Sequence, residues 1–131
     1  MPMPILPPDL MVRDVCEGNV KALGGCRCFS VDYPKPPQAP YPAALENALE
    51  VWQWLRDQGL KAKDVVVSGD SAGGNLALAL LLKLQAIGAE MPAGAVLLSP
   101  WVEMLPFNSK SWTHNAAYDY IGTSIRLGFR V

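Results

Sequence analysis

Val65-Val66-Val67-Ser68-Gly69-Asp70-Ser71-Ala72-Gly73-Gly74-Asn75-Leu76-Ala77-Leu78 is the stretch that decides the fold. A β-branched apolar run leads in and an apolar helix-forming run leads out. Between them lies Gly-Asp-Ser-Ala-Gly-Gly. This is the G-x-S-x-G pattern in strand–turn–helix context, the elbow that lifts a serine off the end of a strand. The turn predicts a strained backbone at Ser71. Residues two before and two after the serine must be small, because strand and helix nearly touch, and Gly69 and Gly73 meet that need. Gly74 suits close helix packing. The helix that follows aims its first N–H groups at the same spot. The Ala72 N–H is therefore placed to donate to an oxyanion, where the helix dipole also favours negative charge. A lone G-x-S-x-G in a loop would be a weak signal; the correct flanks on both sides make this one specific for the elbow.

Working outward, the chain reads as alternating helices and strands. Residues 1–8 are proline-rich and expected to be extended. Leu10, Met11, Val15, Val20 and Leu23 mark a modest helix over 10–23 that ends at Gly24-Gly25. Cys26 to Val31 reads as a short buried strand. Pro34, Pro36, Pro37 and Pro40 force a loop. A helix then starts near Pro42 and carries the stripe Ala44, Leu45, Ala48, Leu49, Trp52 and Leu55 as far as Gly59. That stripe is ordinary core packing. Asp64 to Ser68 is the second predicted strand, 73–87 a nearly all-apolar helix closed by Gly88, and Gly94 to Ser99 the third strand. Strands apolar on both faces, alternating with helices, imply a three-layer α/β/α sandwich with a mostly parallel sheet. Ligands in such sheets bind at the carboxyl ends of the strands, where Ser71 falls.

Composition bounds the rest. The chain has 131 residues, half of them hydrophobic and 18% charged, which fits one globular domain. A net charge of −1 makes no electrostatic case for nucleic acid or an acidic membrane. The longest apolar stretch, Leu76 to Leu82, is too short for a membrane span. Met3-Pro4-Ile5-Leu6 lacks a basic flank and does not read as a signal peptide, so a cytoplasmic protein is the default expectation. Of the three cysteines, Cys26 and Cys28 lie two apart on one face of the predicted strand and are poorly placed to bridge each other. No Cys or His spacing suggests a metal site, and the cysteines read as reduced thiols.

Four motifs in register resemble one family. They are Val31-Asp32-Tyr33 with Pro37; Pro40-Tyr41-Pro42-Ala43-Ala44-Leu45-Glu46; the Gly69–Ala77 elbow; and Leu98-Ser99-Pro100-Trp101. Together they resemble the hormone-sensitive-lipase-like carboxylesterases, the fold-3 group of the α/β-hydrolases, over about residues 10–120. The resemblance implies hydrolysis of small-molecule carboxylic esters without a cofactor, with Ser71 as nucleophile, Ala72 N–H as oxyanion donor, and Gly69, Asp70, Gly73 and Gly74 shaping the elbow.

The departures are specific. Tyr33-Pro34-Lys35-Pro36-Pro37-Gln38 stands where the family has Tyr-Arg-Leu-Ala-Pro-Glu. No His-Gly-Gly-Gly segment completes the oxyanion hole; Gly24-Gly25 reads as a helix cap. In the family the acid and the histidine follow the serine well downstream. Here the only histidine, His114, falls in the segment that leads into a lid-like helical region, Asp119 reads as structural, and Glu103, just past the third strand, comes too early in the fold to stand in for the triad acid. The resemblance therefore implies a single partial hydrolase domain, with atypical tails at 1–9 and 122–131 and with little activity as the chain stands. Two rivals follow: a non-catalytic fragment or binding module of the same fold, and an unrelated serine peptidase or acyltransferase. The Tyr-Pro-Ala-Ala-Leu and Ser-Pro-Trp motifs argue against the last.

Overall fold

The computed structural model describes residues 8–103, 110–115 and 117–118. The expectations for 1–7, Asp119 and the tail 122–131 lie outside these residues. The elements in chain order are α1 (Pro8–Ala22), α2 (Ala43–Asp57), a short 3₁₀ turn (Ala62–Asp64), β1 (Val66–Asp70), α3 (Ala72–Ala86), β2 (Gly94–Leu98) and α4 (Lys110–Asn115). Among the described residues, no helix is long and apolar enough to cross a membrane.

β1 and β2 pair in parallel, with Val66 opposite Gly94 and Asp70 opposite Leu98. A parallel pair needs a crossover connection, and α3 supplies it. Side chains alternate across the pleat. Val67 packs toward the helices, against the core. Val66, Val96 and Leu98 lie on the opposite face and are exposed. The core is the seam where α2 meets α3. Ala48 and Trp52 of α2 pack there with Leu80 and Leu84 of α3 and with Ala62. Leu84, 1% exposed, is the most completely enclosed of them. The stripe read from the sequence as ordinary packing is this seam.

Glycines stop the helices. Gly25 (φ 98°) donates its N–H to the Val20 carbonyl at 2.9 Å after α1. Gly59 (φ 87°) and Gly88 (φ 67°) follow α2 and α3, and the next residues, Leu60 and Ala89, donate back to Leu55 and Leu84. These are left-handed caps in which the N–H after the glycine reaches back over the last turn. The Gly24-Gly25 pair is thus a helix stop. Arg56 braces the end of α2 by donating to the Leu60 carbonyl and to Glu90.

The parallel α/β class holds, but one predicted strand does not. Residues 26–31 run without strand pairing, and 26–30 are exposed. A strand exists through its ladder, and among the described residues no segment offers one to Cys26–Val31. The segment is held by side chains instead. The Phe29 ring lies 5.3 Å from that of Trp54 on α2, and Cys26 Sγ lies 3.9 Å from the Asn19 carbonyl of α1. The three thiols are free. The neighbouring Cys16 thiol pushes the Cys28 thiol up to about 11.

Candidate active site

The strand–turn–helix reading of the elbow is met at residue level. β1 delivers the chain to its carboxyl end at Asp70, one residue turns, and α3 begins at Ala72. That one residue is Ser71, with φ 52° and ψ −114°. This combination falls outside the regions an L-residue ordinarily occupies, and such positions cost about 1–3 kcal/mol. The surrounding structure must hold it there.

Three backbone hydrogen bonds do so. The Ser71 N–H donates to the Leu98 carbonyl at 2.9 Å, which carries the β1–β2 ladder one step past the strands. The Ser71 carbonyl accepts from Asn75 N–H at 3.1 Å and from Trp101 N–H at 3.0 Å. The second strand leaves through a left-handed residue of its own, Ser99 at φ 44°. Leu98, Pro100 and Trp101 therefore grip the elbow from the neighbouring strand. In the sequence these residues stand only as a motif. Their mechanical role depends on β2 lying beside β1, which no local pattern displays.

The glycines divide the work differently from expectation. A Cβ at Gly69 would lie 2.2 Å from the Gly73 carbonyl oxygen and 2.4 Å from its carbon, so strand and helix do nearly touch there. At Gly73 itself a Cβ would meet nothing within 4 Å. The expectation that residue 73 must be small for strand–helix contact is corrected: its backbone is approached, while its Cβ direction is open. Gly74 takes that constraint instead. A Cβ there would sit 2.9 Å from both Cα and Cβ of Pro100. Helix geometry rotates each successive Cβ by about a quarter-turn, so adjacent glycines face different surroundings.

Ser71 is exposed. The first backbone bond into α3 starts at Asn75, so the N–H groups of Ala72, Gly73 and Gly74 precede the intrahelical ladder at its positive end. No acidic side chain occupies the first turn of α3 to compete for them. The structure thus brings Gly69, Asp70, Ser71, Ala72, Gly73 and Gly74 into one turn, with an accessible hydroxyl beside free helix-terminal donors. It does not bring His114 to them. His114 is exposed on α4, and among the described residues no hydrogen bond joins it to Ser71. The Glu103 carbonyl accepts from Trp101 Nε1 at 2.8 Å. Among the described residues, no three His, Cys, Asp or Glu side chains converge as a metal site requires.

Comparison with known proteins agrees with this geometry. The profile of the alpha/beta hydrolase fold matches residues 8–128. An esterase of Acinetobacter venetianus is 46% identical over 89 residues, covering 68% of this chain and 29% of that protein. Hormone-sensitive lipase of Mus musculus is 35% identical over 80 residues, covering 58% of this chain and 10% of the lipase. The crystal structure of an esterase from the bacterial hormone-sensitive lipase family superposes with a TM-score of 0.74 at 35% identity, covering 84% of this chain and 37% of that one. The chain thus spans less than a third of the length of these curated relatives. It belongs to the alpha/beta hydrolase fold family, in the hormone-sensitive-lipase-like group.

Proposed function

We propose that this member of the alpha/beta hydrolase fold family carries the nucleophile of a carboxylic-ester hydrolase, and that Ser71 is that nucleophile. The observation that supports it most is the conformation of Ser71. A strained, exposed serine is gripped at the carboxyl end of a parallel strand and at the start of a helix. Strain of this kind persists only where the surroundings over-determine it, and it clusters at working sites. The esterase relatives supply the substrate class.

In this reading Ser71 Oγ attacks the acyl carbon of a small-molecule ester as its proton passes to a base. The carbonyl oxygen becomes an oxyanion held by Ala72 N–H, the alcohol leaves, and water then releases the acyl group from Ser71. Gly69, Asp70, Gly73 and Gly74 form the turn that aims the hydroxyl. The base is the weak point. Among the described residues neither His114 nor another base bonds the Ser71 hydroxyl, and a serine hydroxyl without a base stays protonated at neutral pH. The 131-residue chain by itself should therefore hydrolyse ester slowly. The missing base contact also favours a second reading, a non-catalytic binding module of the same fold.

An aryl-ester assay and organophosphonate labelling of the purified chain, each beside Ser71→Ala, separate these readings. Slow hydrolysis and weak labelling, both lost in Ser71→Ala, are expected. Turnover at ordinary enzyme rates of about 1–10³ s⁻¹, abolished by Ser71→Ala, would show that a base reaches Ser71. Labelling that survives Ser71→Ala would remove Ser71 from the role.

A further inference from the structure

Ser71 is held from a direction its own motif does not supply. Its N–H and its carbonyl are both bonded to the turn that leaves β2, through the Leu98 carbonyl at 2.9 Å and the Trp101 N–H at 3.0 Å. The turn is tensioned in its own right. Ser99 sits at φ 44°, a Cβ on Gly74 would lie only 2.9 Å from Pro100 Cα and Cβ, and the Trp101 indole N–H is anchored on the Glu103 carbonyl at 2.8 Å. Two strained serines at the ends of adjacent parallel strands thus share one hydrogen-bonded junction.

We propose that the Leu98–Trp101 turn positions the nucleophile, and that Trp101 is a positioning residue whose indole anchor keeps its backbone N–H on the Ser71 carbonyl. This rests on the reading of Ser71 as nucleophile. The chemical consequence follows from geometry. Ser71 is the N-cap of α3 and its side chain makes no capping bond, so its hydroxyl stays at the positive end of the helix, uncommitted to the first N–H groups, only while φ and ψ keep their strained values. If Trp101 lets go of the carbonyl, only the Asn75 N–H at 3.1 Å still holds it, and the peptide between Ser71 and Ala72 can turn toward an ordinary conformation. The side chain then swings off the helix axis and loses the favourable end of the dipole. Trp101 touches no reacting atom in this scheme; it acts through the Ser71 backbone.

The test replaces the hydroxyl by a group whose ionisation reports the site without needing a base. In a chain carrying Cys16→Ser, Cys26→Ser, Cys28→Ser and Ser71→Cys, the rate of alkylation by iodoacetamide against pH gives the inflection of the introduced thiol. Thiols at helix N-termini ionise below the usual value of about 8.5, so a lowered inflection is expected. Trp101→Phe removes the indole anchor and Trp101→Pro removes the N–H itself. Each should raise the inflection by roughly half a unit, about a threefold loss of thiolate at neutral pH. Leu49→Ala, which loosens the core away from the turn, should leave it in place. A lowered inflection that neither Trp101 variant moves would overturn the positioning role and leave the nucleophile reading standing. An ordinary inflection in the parent chain would overturn both. Should neither Trp101 variant fold, amide hydrogen exchange on the unaltered chain decides. The Ser71 and Trp101 amides should both exchange slowly, and a Trp101 amide exchanging like one in an open loop would overturn the proposal.

Discussion

Alanine placed in turn at Gly69, Gly73 and Gly74 should separate three glycines that look alike in the sequence. A Cβ at Gly69 falls 2.2 Å from the Gly73 carbonyl oxygen, where real contacts essentially never come under 3.0 Å. The start of α3 must then retreat by roughly 0.8 Å in an interior that packs like a crystal. That retreat strains the Asn75–Ser71 and Trp101–Ser71 bonds together. The cost lies at or above the top of the overpacking range, about 3 kcal/mol or more. At Gly74 the nearest atoms are Pro100 Cα and Cβ at 2.9 Å. The overlap is slight, and better helix propensity returns roughly 0.5–1 kcal/mol, so a net loss of about 1 kcal/mol is expected. At Gly73 nothing lies within 4 Å. Alanine there should stabilise by about 0.4–1 kcal/mol through the unfolded chain. Urea denaturation followed by tryptophan fluorescence reads the series. With m of about 1–3 kcal/mol/M, the midpoints of Gly69→Ala and Gly73→Ala should differ by about 1 M or more, or Gly69→Ala should show no cooperative transition. Equal midpoints for these two variants would refute the geometry of the elbow, since both would then stand in the same surroundings.

Two further outcomes are expected. Leu84→Ala, at the centre of the α2–α3 seam, should cost about 2–5 kcal/mol, while Leu82→Ala, 65% exposed on the same helix, should stay within about 0.5 kcal/mol on the same urea assay. Cys28 should be alkylated slowly at pH 8 and accelerate only as the pH approaches about 11, because the neighbouring Cys16 thiol favours its protonated form. Mass-spectrometric mapping of iodoacetamide adducts should also show Cys16→Ala bringing its inflection back toward the ordinary thiol range.

Much of this protein is written in short stretches of its chain. The elbow was legible because three signals coincide within a dozen residues: a β-branched run, a glycine-flanked serine, and an apolar helical run. Each is a local preference of the backbone, and the structure places strand end, Ser71 and helix start in that order. The α2 stripe and the stops at Gly25, Gly59 and Gly88 were legible for the same reason, since helical period and left-handed capping are properties of a few consecutive residues. What only the tertiary structure decided is whatever needs a second segment. Cys26–Val31 has the composition of a strand, but a ladder takes two partners, and the segment lies against α2 and α1 instead. Gly73 and Gly74 exchange their expected constraint because Pro100, twenty-six residues downstream, stands over one Cβ direction and not the other. The grip of Leu98 and Trp101 on Ser71 exists only because α3 crosses over and lays β2 beside β1. Local sequence sets what each segment prefers, and hydrogen bonds and close contacts between distant segments settle which preferences are realised.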